Sequence, residues 1–260
     1  MSAVMGILIF FLGLVIGSFL NCLVYRLNED KHGLKSLFGR SYCPKCKKQL
    51  LWIDNIPLFS FIFLKGKCRW CHTPISIHYP LIELTTAVLS LIVYYFSISV
   101  QIYNLQFIIY NLLITWALIA IFLSDLRYRT IPDQIVYPAM AVSLIYLIAN
   151  GQCPPCREAG IMILSGLGAA AFFFLLVLLT RFRGMGLGDV KLAGLMGLFL
   201  GFPKVVVALY LAFLTGATLG VILILLGKKK FKSQISFGPF LVLATFIAWF
   251  WGDKIWHLIL

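Results

Sequence analysis

Trp116-Ala117-Leu118-Ile119-Ala120-Ile121-Phe122-Leu123-Ser124-Asp125 closes an apolar run that begins at residue 105 and ends on an acid. The uncharged stretch 105–124 is long enough to cross a ~30 Å hydrocarbon core as a helix. A carboxylate at that border is expensive to place and reads first as function. At the C-terminal end of a helix its charge also opposes the macrodipole, so capping does not explain Asp125.

Runs of the same kind recur at 3–22, 81–99, 134–150, 159–180, 190–202, 204–226 and 236–257. Apolar residues make up 61% of the chain, only 12% are charged, and mean hydropathy is +0.96. Soluble domains carry roughly 45–50% apolar and about 25% charged residues, so the class is an all-α polytopic membrane protein. The expected count is about eight transmembrane helices. The sixth is short and holds Gly194, Gly197 and Gly201, so a tilted, thin or partly re-entrant segment is expected there. The first run has no basic residue ahead of it and no A-x-A-like site before Asn21, so it reads as an anchor rather than a cleaved signal peptide.

The net charge of +13 follows topology. With the N-terminus outside, segments 23–80, 125–133, 181–191 and 228–233 face the cytoplasm. Of the 22 Lys and Arg residues, all but Arg157, Lys204 and Lys254 then lie inside. That is the positive-inside asymmetry, with anionic membrane lipid as the partner of the basic face. No contiguous basic surface with base-reading groups is present, so nucleic acid is not an expected partner.

Residues 23–80 form the one sizeable aqueous segment, between the first helix (1–22) and a membrane domain (81–260). It contains Cys43-Pro44-Lys45-Cys46 and Cys68-Arg69-Trp70-Cys71. Two CxxC knuckles about twenty residues apart are the frame of a tetrahedral four-cysteine zinc site. Four thiolates leave no open position, so the zinc is structural, and so small an insert needs such a staple. His72 is expected beside the metal shell or exposed, not in it. Cys153-Pro154-Pro155-Cys156, in an outer loop, cannot complete a metal shell and reads as a structural or incidental pair.

Gly184-Met185-Gly186-Leu187-Gly188-Asp189 carries the second acid of interest, 64 positions after Asp125. Topology returns both to one depth on the cytoplasmic face. Two carboxylates in a confined apolar site cannot both ionise cheaply, so one holds a proton, which is aspartyl-protease logic. Gly186 and Gly188 leave room for a substrate backbone or a close helix contact. The rival reading of Asp189 is a helix cap. Asp133, after Ile131-Pro132, is expected to cap a span. Glu83 is expected in the first turn after Pro80, where its charge suits the helix dipole. Lys191 is expected to neutralise or orient Asp189, or to snorkel to headgroups.

These residues resemble the type IV prepilin peptidases, bacterial membrane aspartyl proteases of the GxGD kind. The blocks that carry the resemblance are Gly17-Ser18-Phe19-Leu20-Asn21 with Tyr25-Arg26, and the CxxC pairs around Asp54-Asn55-Ile56-Pro57. Then come Tyr79-Pro80-Leu81-Ile82-Glu83-Leu84, Asp125 with Ile131-Pro132-Asp133, Gly186-Leu187-Gly188-Asp189-Val190-Lys191-Leu192, and Phe237-Gly238-Pro239-Phe240. The resemblance implies that Asp125 and Asp189 hydrolyse the leader of type IV prepilins and pilin-like proteins. The cut falls after a glycine at the cytoplasmic border of the bacterial inner membrane. It further implies methylation of the new N-terminus with S-adenosylmethionine. Many members carry glycine shortly after the Glu83 block, where this chain has Thr85-Thr86-Ala87, so methyl transfer follows less directly than cleavage. Alternatives are a peptidase without methyltransferase activity, an ion-coupled transporter, and a zinc docking module for pilus assembly. The transporter reading meets acids at one interface rather than at the midplane, and no inverted repeat.

Overall fold

The computed structural model describes residues 2–29, 41–43, 45–99, 104–150, 156–181, 185–227 and 236–259. The chain forms two compact units, Met1–Ala120 and Ile121–Leu260. Among the described residues the long elements are all helices, and extended pairing is confined to two isolated bridges.

In the first unit, α1 (Ser2–Glu29) packs along α3 (His78–Ser99). Gly13 and Gly17 make that contact. A Cβ at Gly13 would stand 2.6 Å from Ala87 Cα, and one at Gly17 2.7 Å from Glu83 Cα. Small residues four apart let two membrane helices approach backbone to backbone. The Thr85-Thr86-Ala87 departure thus falls inside the α1–α3 seam. The first turns of α4 (Leu105–Tyr128) are fastened to α3 by buried side-chain hydrogen bonds. Trp116 donates to Ser90 Oγ at 3.0 Å, and Asn111 to Ser97 Oγ at 3.2 Å. Between α1 and α3 lie a 3-10 turn (Trp52–Asn55), the short α2 (Phe59–Phe63) and the two cysteine knuckles.

The second unit holds the last turns of α4 followed by α5 (Asp133–Asn150), α6 (Cys156–Leu179), α7 (Leu187–Leu200), α8 (Lys204–Leu225) and α9 (Gly238–Ile259). Helix α7 is its centre: every residue from Leu192 to Leu200 is buried, against α5, α6, α8 and α9. Its glycines serve that burial, since a Cβ at Gly197 would stand 2.6 Å from Gly166 Cα on α6. Fourteen residues extend only about 21 Å. The apolar character of α7 is therefore that of a packing core enclosed by other helices.

The described residues hold fewer helices of spanning length and hydropathy than the eight apolar runs of the sequence. Among the described residues, five helices are long and apolar enough to cross a membrane: Val4–Asn28, His78–Ser99, Leu105–Tyr128, Ala159–Leu179 and Lys204–Leu225. Helix α5 has a shorter apolar stretch, Asp133–Ala149. Helix α9 ends with Asp253 and Lys254 inside it.

Candidate functional site

The two knuckles of the first unit are built alike. In one, Cys43 N–H donates to the Lys48 carbonyl and Lys47 N–H returns to the Cys43 carbonyl. In the other, Cys68 N–H donates to Thr73 and His72 N–H returns to Cys68. Each turn reverses on a left-handed residue, Lys47 (φ 58°) and His72 (φ 52°). His72 is thus the hinge of its knuckle, with an exposed side chain. The Sγ atoms of Cys43, Cys46, Cys68 and Cys71 all lie within 4.8 Å of one another. In a tetrahedral zinc–thiolate shell, bonds of about 2.3 Å place sulfurs about 3.8 Å apart; Cys43 Sγ and Cys71 Sγ are 3.8 Å apart. The Thr73 hydroxyl beside the sulfur, and then its backbone N–H, holds the Cys71 thiol down to about 6. The thiolate is the form that binds metal. The donor set fits zinc, and these four residues could hold it.

Asp54, from the block between the knuckles, braces them. Its carboxylate accepts from Arg69 at 2.6 Å and from Leu51 N–H at 3.2 Å. Glu83 differs from its expected place. Helix α3 starts at His78, so Glu83 lies in the second turn and is buried. Its carboxylate accepts the Leu58 N–H at 2.9 Å and a hydrogen bond from Ser18. Leu58 has φ 59°, in a three-residue turn closed by Phe59 N–H to the Pro57 carbonyl at 2.6 Å. Such a turn is strained for a residue with a Cβ, at a cost of order 1–3 kcal/mol. Glu83 latches this turn onto α1 and α3. Cys153 and the side chain of Cys156 lie outside the described residues.

The second unit places Asp125, Asp133 and Asp189 at helix ends. Asp125 stands in the last turn of α4 and is 5% exposed. Arg129, at φ 56°, ends that helix, and Ile131-Pro132 lead into α5. Asp133 is the first residue of α5, while the carbonyl of Pro132 takes the first helical N–H groups. It therefore sits one position inside the helix, where a negative charge suits the dipole. Its carboxylate pairs with Lys191 Nζ at 2.7 Å, and both side chains are partly exposed. Lys191 also lies over the Tyr137 ring. The ion pair of Lys191 is thus with Asp133 and not with Asp189. Residues two apart on a helix point in nearly opposite directions.

Asp189 is the third residue of α7, and its Oδ2 accepts the Gly186 N–H at 3.3 Å. It does part of a cap's work, as the rival reading held. It also lies within Coulombic reach of Asp125. The two glycines of the motif divide their roles. A Cβ at Gly188 would stand 3.0 Å from Ile131 Cβ, so Gly188 seats the start of α7 against the segment that follows Asp125. Around Gly186 the nearest atoms would be 3.8 and 4.0 Å away, at Gly188 N and Asp189 Oδ2. Among the described residues, that leaves room beside Gly186.

One contributor escaped the sequence reading. The Ser236 hydroxyl donates to Asp125 Oδ2 and also lies 3.0 Å from the Asp125 carbonyl. Gly238, first residue of α9, packs on the same carboxylate: a Cβ there would stand 2.9 Å from Asp125 Cγ. The available signal was the Phe237-Gly238-Pro239-Phe240 block at a span's inner end. Nothing in the sequence tied it to Asp125, 111 positions earlier. The C-terminal end of α4 and the N-terminal ends of α7 and α9 thus meet around two acids. Carboxylates so placed can exchange protons with a water.

Residues 11–97 match the bacterial peptidase A24 N-terminal domain, and residues 112–221 match the type IV leader peptidase family. The chain is 35% identical to the prepilin leader peptidase/N-methyltransferase of Aeromonas salmonicida (strain A449), over 96% of this chain and 93% of that protein. The chain belongs to the type IV leader peptidase family. Proteins of the same name from Pseudomonas aeruginosa and Legionella pneumophila are 35% and 33% identical, each over 94% of this chain and 89% and 91% of theirs. No solved structure matches the chain. Membership in a peptidase family sets aside the transporter and docking-module alternatives.

Proposed function

We propose that this enzyme removes the leader of type IV prepilins and pilin-like proteins through Asp125 and Asp189, and then methylates the new N-terminal amine with S-adenosylmethionine as donor. One observation carries the peptidase half. Two acids 64 positions apart, each at a helix end, lie within Coulombic reach of one another, and Asp125 is buried. In this scheme one carboxylate is charged and the other protonated. The charged member takes a proton from water as the water adds to the scissile carbonyl. The neutral member protonates that oxygen and later returns a proton to the departing amine. No covalent intermediate is required. The open side of Gly186 admits an extended substrate backbone next to Asp189.

The distribution of Lys and Arg supports a cytoplasmic position for the acids and the cysteine insert, in a bacterial inner membrane with the N-terminus outside. A prepilin leader emerges from its membrane helix at that face. Zinc, held by Cys43, Cys46, Cys68 and Cys71, supplies folding free energy to an insert too small for a core of its own. Methyl transfer is proposed from the relatives' name.

The test is co-expression with a prepilin and mass spectrometry of the pilin N-terminus, which reads cleavage, cut position and methylation together. Asp125→Asn and Asp189→Asn each abolish leader removal, by at least about 1,000-fold, while the protein still inserts and binds zinc. Substantial cleavage by either folded variant sinks the two-acid mechanism.

A further inference from the structure

We propose that the Ser236-Phe237-Gly238 turn is a positioning element for the Asp125 carboxylate, and that the Ser236 hydroxyl sets which carboxylate oxygen takes part in hydrolysis. The proposal rests on the reading of Asp125 as a catalytic acid. A carboxylate at the end of an aspartate can rotate, and a pair that shares a proton works only while its oxygens keep a fixed relation. The Ser236 hydroxyl donates to Oδ2 and stands 3.0 Å from the main-chain carbonyl of the same residue. The single hydroxyl proton goes to Oδ2, with the Asp125 carbonyl close beside the same hydroxyl oxygen. Gly238 supports the carboxylate from the backbone, at a separation that leaves no space for a Cβ. With Oδ2 engaged, Oδ1 is left for the water or for the proton shared with Asp189. Ser236 touches neither substrate nor water in this scheme; it acts through Asp125.

The test uses the full chain in detergent micelles with a purified prepilin. Leader loss is followed by gel shift, and kcat and KM are determined separately. Ser236→Ala is expected to lower kcat about 10- to 100-fold, the effect of losing a hydrogen bond to a charged group. KM stays within about twofold. Ser236→Thr and Ser236→Val have nearly the same shape and differ in the hydroxyl, so they decide the matter even where the alanine variant folds poorly. Threonine is expected to restore kcat to within a few-fold of the parent, and valine to match alanine. Gly238→Ala displaces the same carboxylate and is expected to lose at least as much.

Parental kcat in Ser236→Ala, equal rates for the threonine and valine variants, or a loss confined to KM each overturns the proposal. Asp125→Asn run alongside separates the two levels. Cleavage by Asp125→Asn removes the parent reading. An inactive Asp125→Asn with a fully active Ser236→Ala removes only this one.

Discussion

Gly188→Ala tests whether the second glycine of the GxGD motif is there for the enzyme's own packing. The added Cβ would stand 3.0 Å from Ile131 Cβ, 3.3 Å from its Cδ1 and 3.4 Å from its Cγ1. Carbon atoms pack best at about 3.5–4.0 Å, so the start of α7 and the 131 segment must separate by about half an ångström. Overpacking of this kind costs about 1–3 kcal/mol, and the gain in helix propensity from Gly to Ala returns up to about 1 kcal/mol. The net loss of stability is therefore about 0–3 kcal/mol. Catalysis suffers more. Asp189 is the next residue, so the displacement passes straight to the carboxylate that faces Asp125. A misplacement of about 1 Å can cost about 100-fold, so half that distance predicts a fall in kcat of about tenfold. Gly186→Ala is the control: its surroundings leave ordinary contact distances, and its φ of −89° and ψ of 157° suit any residue. That variant should keep the fold and the spacing of the two acids, so any loss of activity should fall on binding of the substrate backbone and read as a raised KM. Leader cleavage kinetics and thermal unfolding of the purified variants give both numbers. Gly188→Ala with unchanged kcat would refute the packing account.

Three further outcomes follow from the geometry. Cys43→Ser or Cys68→Ser should lose the bound zinc, read by metal analysis of the purified protein, because three thiolates no longer close the tetrahedron; unchanged zinc content counts against the site. Lys191→Met and Asp133→Asn should each change stability by no more than about 1 kcal/mol and cleavage by only a few-fold. Their pair is partly exposed and is not with Asp189; inactivation of both would return Lys191 to the chemistry. Glu83→Ala should destabilise the seating of the insert by about 1–3 kcal/mol, because the partly buried Leu58 N–H loses its acceptor. Faster proteolysis at Lys45, Lys47 and Lys48 reports it, and unchanged proteolysis argues against the latch.

The sequence by itself determined the class of the protein, because hydropathy and the spacing of cysteines are local properties. A run such as 105–124 is apolar whatever surrounds it. Two CxxC pairs at that separation present four thiols to one ion in almost any compact arrangement, and the four sulfurs do cluster. The family was legible for the same reason, in blocks such as Gly186–Leu192.

Tertiary structure decided whatever depends on which helix ends meet. Hydropathy cannot tell a helix bathed in lipid from one enclosed by protein, so α7 read as a possible span and proved to be the packing centre of its unit. Glu83 looked like a charge at an exposed first turn until the Leu58 turn closed over it. Lys191 stood two residues from Asp189, yet helical rotation gave it to Asp133. Ser236 carried no signal at all, because a serine before a span is ordinary until its hydroxyl reaches a carboxylate 111 positions away. Local pattern names the acids; only the packing of α4, α7 and α9 brings them within reach of one another and gives Asp125 its support.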